Sequence, residues 1–119
     1  MGAAATTSAR LLIIEDDDEL AELLVEYLGQ QGFEVSRVAS GDLGAEAILE
    51  TQPDLVLLDL MLPGANGLDV CRRVRDSYSG AIVMLTASQS EADHVAGLEL
   101  GADDFVIKPI EPRVLLARI

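Results

Sequence analysis

The chain has 119 residues, half of them hydrophobic, with 21 acidic against 8 basic side chains and a formal net charge of −13. That length fits one domain, against a prior of roughly 150 residues per domain, and that charge opposes direct binding to a polyanion, because affinity for nucleic acid comes largely from phosphate neutralisation by Lys and Arg. Tyr27, Phe33, Tyr78 and Phe105 are the only aromatics and Cys71 the only cysteine, so the core must be built from Leu, Val, Ile and Ala, and no internal disulfide is possible.

Residues 1–9 are small and polar without an apolar targeting segment, and read as a disordered extension before a domain over 10–119. No apolar run reaches the length of a membrane span, so a cytoplasmic domain without membrane contact is expected. Leu11–Ile14 is the first buried strand. From Asp18 to about Gln31, Leu20, Leu23, Leu24, Tyr27 and Leu28 recur at helical spacing, with Asp17 or Asp18 as N-cap. Glu34–Val38 is a second strand, and 42–50 a second helix with Leu43, Ala47 and Ile48 as its apolar stripe.

Leu55-Val56-Leu57-Leu58 is too short for a helix and too evenly hydrophobic for a half-solvated strand, so it reads as a central parallel strand that ends in Asp59. Asn66-Gly67 opens a third helix through Tyr78, with Leu68, Cys71 and Val74 inward and the Cys71 thiol buried. Ala81–Leu85 is a fourth strand closing in Thr86, and Ser90 caps a helix with Val95, Leu98 and Leu100 at its apolar positions. Phe105–Ile107 is a fifth strand running into Lys108-Pro109, and a last short helix begins near Glu111, so that the chain reads as an excised piece of a longer one.

Five alternations of strand and helix are the pattern of an α/β domain with a parallel sheet. Parallel strands share a direction, so their carboxyl ends gather at one edge, where ligands bind in open α/β sheets. At that edge stand Glu15, Asp16, Asp17 and Asp18, then Asp59, Thr86 and Lys108. Clustered carboxylates repel and call for a hard divalent cation, Mg²⁺ or Mn²⁺. A carboxylate facing a metal and an ammonium is arranged as a nucleophile towards phosphorus, with Asp59 attacking, Lys108 holding a phosphoryl oxygen and the Thr86 hydroxyl bonding another. The plainer alternative makes each of these a turn starter, cap or solvated surface group.

These residues resemble the receiver domain of two-component response regulators over Leu11 to Ile119. The resemblance is carried by Ile13-Ile14-Glu15-Asp16-Asp17, by Leu57-Leu58-Asp59-Leu60-Met61-Leu62-Pro63-Gly64 with Asn66-Gly67, by Leu85-Thr86-Ala87, and by Gly101-Ala102-Asp103-Asp104-Phe105 with Ile107-Lys108-Pro109. It implies a CheY-like, flavodoxin-like doubly wound sheet of strand order 2-1-3-4-5. It also implies a phosphoacceptor rather than an enzyme in the usual sense, with Asp59 taking a phosphoryl group from a sensor histidine kinase. Asp16 would be the direct metal ligand, Glu15 would act through water, and Asp59 and the Met61 backbone carbonyl would share the shell. A cis peptide bond would join Lys108 to Pro109. Met61 and Ser88 would tune the rate of self-hydrolysis.

The resemblance further implies a switch in which Thr86 moves towards the new charge and Phe105 turns inward, reshaping the face of helix 4, strand 5 and helix 5. The stretch from Gly101 to Ile119 is most similar to the OmpR/PhoB class, whose members carry a winged-helix DNA-binding domain after the receiver. Activated members pair through this face. Here Val95 and Leu98 would supply apolar contact, and Asp104 and Arg118 a cross-subunit ion pair in a homodimer. His94 stands where the class usually has Arg or Lys, and Val114 where it usually has an acid; the same departures resemble the RstA branch.

Two other functions fit less well. A haloacid-dehalogenase-type phosphatase needs a second acid two residues after its nucleophile, where Met61 stands, and a nucleotide- or flavin-binding module needs a phosphate-cradling loop where this chain places four acids. A stand-alone receiver, or a degenerate one acting only as an interaction module, remains the alternative. A degenerate receiver usually loses members of the acidic pair, the Asp or the Lys, and all of these are present.

Overall fold

A computed structural model of the chain describes residues 9–87 and 90–119. Five parallel strands, β1 (Arg10–Ile14), β2 (Glu34–Val38), β3 (Leu55–Asp59), β4 (Ala81–Thr86) and β5 (Asp104–Ile107), form one sheet in the order β2-β1-β3-β4-β5. Five helices connect and cover them: α1 (Asp18–Gln30), α2 (Gly41–Thr51), α3 (Gly67–Val74), α4 (Glu91–Glu99) and α5 (Pro112–Arg118). The central strands are continuous aliphatic runs because both of their faces are covered. Successive side chains point to opposite faces, so Leu12, Ile14, Val56, Leu58, Ile82 and Met84 pack towards α2 and α3. Leu11, Ile13, Leu55, Leu57, Val83 and Leu85 pack on the other face with Leu24 and Leu28 of α1 and Leu115 of α5.

The helices start where the sequence supplies caps. The Asp17 carboxylate accepts from the N–H groups of Glu19 and Leu20, so Asp17 rather than Asp18 caps α1. Ser40 and Ser90 cap α2 and α4 in the same way. Asn66 and Asp69 form a reciprocal capping box at α3.

Several expectations change. The third helix does not run through Tyr78: α3 ends at Val74 and a 3₁₀ turn covers Arg75–Ser77. There the Arg75 guanidinium donates to the carbonyls of Tyr78, Gly80 and Gly101 and so ties the turn to the chain beyond it. Leu23 and Leu43, placed on apolar stripes by spacing, are exposed, and α2 turns Gly44 and Ala45 inward beside the expected Ile48. Val95 and Leu98 are half exposed, and Gly97 is the one buried residue of α4. Cys71 is buried as expected, and burial pushes its thiol up to about 11. The reading of 1–9 as a disordered extension falls outside the described residues except at Ala9, whose carbonyl accepts from Glu34 N–H at 2.9 Å and therefore joins the sheet edge.

Candidate functional site

Four of the five strands bring residues at or just past their ends to the same carboxyl edge. β1 passes directly into Glu15, which is fully buried, and Asp16, which is exposed. β3 ends in Asp59, itself only 3 % exposed. β5 runs into Lys108, whose backbone N–H donates to the Thr86 carbonyl at 2.7 Å and so ties it to the buried end of β4. The register places Asp59 beside Leu85 and Thr86 beside Ile107, which is why four distant segments reach the same edge.

The side chains meet closely. Lys108 Nζ lies 2.9 Å from Glu15 Oε1 and 3.3 Å from Asp59 Oδ2. Met61 N–H donates to Asp59 Oδ1 at 3.3 Å, and Asp17 N–H donates to Glu15 Oε2 at 3.1 Å. Burial, followed by the contact with Glu15 and its charge, pushes the Asp59 carboxyl from 3.8 up to about 7, although Lys108 works in the other direction. Burial by itself lowers Lys108, but contact with Glu15 and the charge of Asp59 outweigh it and hold the ammonium above its ordinary value. One lysine is thus shared between two buried carboxylates.

That arrangement has room for another positive charge. Among the described residues, Glu15, Asp16 and Asp59 each offer a carboxylate oxygen within 4.8 Å of the others. Glu15 Oε1 is buried and accepts no hydrogen bond from a described residue, its contact with Lys108 being that of an ion pair. A buried, under-satisfied carboxylate oxygen beside two further acids is the donor set of a hard divalent cation.

The loop after Asp59 is held tightly. Gly67 N–H donates to the Leu60 carbonyl at 2.8 Å, and a Cβ at Gly67 would stand 2.6 Å from the Asp59 carbonyl oxygen, so only glycine lets α3 start this close to the site. The Met61 side chain is 71 % exposed at the rim.

The response regulator receiver domain model matches residues 11–119. The chain belongs to that family. Its receiver is 49 % identical over 114 residues to the DNA-binding response regulator MtrA of Mycolicibacterium smegmatis, covering 96 % of this chain and 50 % of that protein. The same receiver superimposes on the BeF3-activated N-terminal receiver domain of Klebsiella pneumoniae RstA with a TM-score of 0.86 and 43 % identity, covering 92 % of this chain and 93 % of that one. It also matches the OmpR/PhoB homologue DrrB of Thermotoga maritima with a TM-score of 0.85 and 30 % identity, covering 94 % of this chain and 51 % of that one. The chain is therefore a signalling receiver of the OmpR/PhoB kind, and it spans about half the length of the curated relatives it matches.

Phe105, Asp104 and Arg118 make contacts of their own. Phe105 is half buried, and its ring stacks on His94 with centroids 4.6 Å apart. Asp104 and Arg118 pair within one chain at 2.8 Å. The Lys108–Pro109 peptide bond is cis. Ser88 lies outside the described residues. No helix among the described residues is long and apolar enough to cross a membrane. Sequence reasoning missed Arg37, whose guanidinium grips the Glu15 carbonyl; a lone charge on a short strand gives no local sign of such a contact.

Proposed function

We propose that Asp59 is the phosphoacceptor of a two-component response regulator, phosphorylated by the phosphohistidine of a sensor histidine kinase. An Asp59 carboxylate oxygen attacks phosphorus, the P–N bond breaks, and the electron pair leaves on the imidazole nitrogen, which takes up a proton from solvent. Asp16, Glu15, Asp59 and the Met61 backbone carbonyl are the groups that would hold Mg²⁺ or Mn²⁺. When bound, that ion neutralises charge among the acids and on the phosphoryl oxygens. Lys108 stands 3.3 Å from Asp59 and is positioned to hold a phosphoryl oxygen as a point charge. The Thr86 hydroxyl would bond another oxygen and carry the change to Phe105. Water later cleaves the acyl phosphate, at a rate tuned by the side chains of Met61 and Ser88.

The convergence of Asp59 with Glu15, Asp16 and Lys108 carries this reading. On the same reading, residues 10–119 form the receiver. Phosphorylation promotes a homodimer through α4, β5 and α5, with Val95 and Leu98 in the contact and Asp104 and Arg118 exchanging their internal pairing for one across the interface. DNA would then be bound by a winged-helix domain following this segment, in the cytoplasm. The MtrA relatives are DNA-binding response regulators, which supports that assignment.

Incubation with acetyl phosphate and Mg²⁺, read by intact mass, is expected to add one phosphoryl group to the wild type and none to Asp59→Ala. An unmodified wild type, or a variant modified equally, overturns the reading.

A further inference from the structure

Arg37 is a cation on the second-last residue of β2, where a solvated side chain would be ordinary, yet its side chain is only 24 % exposed. Its Nε and one terminal nitrogen both donate to the backbone carbonyl of Glu15, at 2.9 and 2.7 Å. The same terminal nitrogen lies 2.9 Å from Asp18 in the first turn of α1. The reason lies in the sheet. The β1–β2 pairing ends at Ile14 and Val38, Glu15 N–H still donates to the Val38 carbonyl, and Ser40 has already turned to cap α2. Beyond that point the Glu15 carbonyl accepts from the Arg37 fork instead of from a strand.

That carbonyl belongs to the planar peptide unit joining Glu15 to Asp16. Fixing its oxygen with two donors fixes the plane, and the plane sets the direction in which Asp16 leaves the backbone. Glu15 is held at its other end, where Oε2 accepts from Asp17 N–H. The two acids are thereby clamped at a defined angle to each other, facing Asp59.

We propose that Arg37 is a positioning residue for the divalent cation site, acting through the Glu15 carbonyl to aim Glu15 and Asp16. The inference rests on the phosphoacceptor reading above. It also makes a prediction opposite in sign to plain electrostatics. A cation beside an acidic cluster repels Mg²⁺, so its removal would tighten binding if charge alone mattered. Loss of the clamp instead weakens binding, as loss of outer-shell orientation does elsewhere.

The test is Mg²⁺ affinity by calorimetry on the wild type and on Arg37→Ala, Arg37→Gln, Arg37→Lys and Asp18→Ala. Arg37→Ala is expected to weaken Mg²⁺ by about tenfold, Arg37→Lys to recover part of this with its single-point ammonium, and Asp18→Ala to leave it unchanged because that carboxylate is mostly solvated. Acetyl phosphate labelling of Arg37→Ala should return towards the wild-type rate at saturating Mg²⁺, which general damage to the fold would not allow. If Arg37→Ala does not fold, Arg37→Gln, which keeps a donor without charge, is read in the same way. Unchanged or tighter Mg²⁺ binding in folded Arg37→Ala or Arg37→Gln overturns the role of Arg37 alone. A wild type that binds no Mg²⁺ overturns the phosphoacceptor reading itself.

Discussion

Helices α1 and α4 flank the same sheet but are seated in opposite ways. α1 begins on the Asp17 cap and buries Ala21, Leu24 and Leu28 among the core strands. α4 buries only Gly97 and leaves Val95 and Leu98 52 % and 50 % exposed. Its inner contact includes the Phe105 ring, which lies where a methyl on Gly97 would have to go and stacks on His94. An element held by large aliphatic side chains resists displacement, whereas one with few buried apolar contacts opens at lower free energy. The acids Glu15 and Asp16 thus precede a firmly anchored helix, and the face proposed to respond to phosphorylation is built on a loosely held one.

Substitutions on the two helices should separate them most clearly. Leu24→Ala is expected to cost about 3 kcal/mol in urea unfolding, through lost transfer energy and the cavity left behind. Val95→Ala and Leu98→Ala should each stay within about 0.5 kcal/mol. Equal costs on both helices would remove the contrast.

Charge should divide the molecule in the same direction. In the folded chain Asp59 keeps its proton up to about pH 7, against an ordinary 3.8, because of burial and Glu15. The folded state therefore holds an extra proton between those values. Without divalent cation, the resulting stability is complete below 3.8 and is lost as pH rises through about 7. Asp59→Asn should flatten that slope in urea midpoints measured against pH, and an unchanged slope would place the titration elsewhere.

Gly97→Ala sharpens the account of α4. Alanine gains up to about 1 kcal/mol of helix propensity, while its methyl must displace the Phe105 ring. Net stability should move by less than about 1 kcal/mol, while the His94 ring resonances shift as the stack is lost; unmoved resonances would mean that Phe105 does not depend on Gly97. The smallest effect is expected at the Asp104–Arg118 pair, where both side chains are well exposed. Arg118→Ala should cost at most about 1 kcal/mol, and less at high salt.

The anchored half was the more legible in the sequence. Core strands buried on both faces must be aliphatic throughout, so β1, β3 and β4 are visible as runs, and their shared direction assembled Glu15, Asp16, Asp59, Thr86 and Lys108 without any contact being known. Helical spacing marked Val95, Leu98 and Leu100 as the apolar positions of α4, because periodicity finds an apolar stripe but cannot tell a core from an exposed face. The inward residue was Gly97, which carries no hydrophobic signal. Arg37 stayed hidden for a related reason. Its function depends on where the β1–β2 pairing stops, and pairing between distant segments leaves no mark in local composition.

The central claim is that one particular carboxylate among several at the sheet edge takes the phosphoryl group. Borohydride reduction converts an aspartyl phosphate to homoserine, so the acetyl phosphate-treated chain can be reduced, digested and sequenced by tandem mass spectrometry. The account predicts homoserine at position 59 and unmodified aspartate at 16, 17 and 18. Homoserine at any of those three positions, with Asp59 intact, would contradict it.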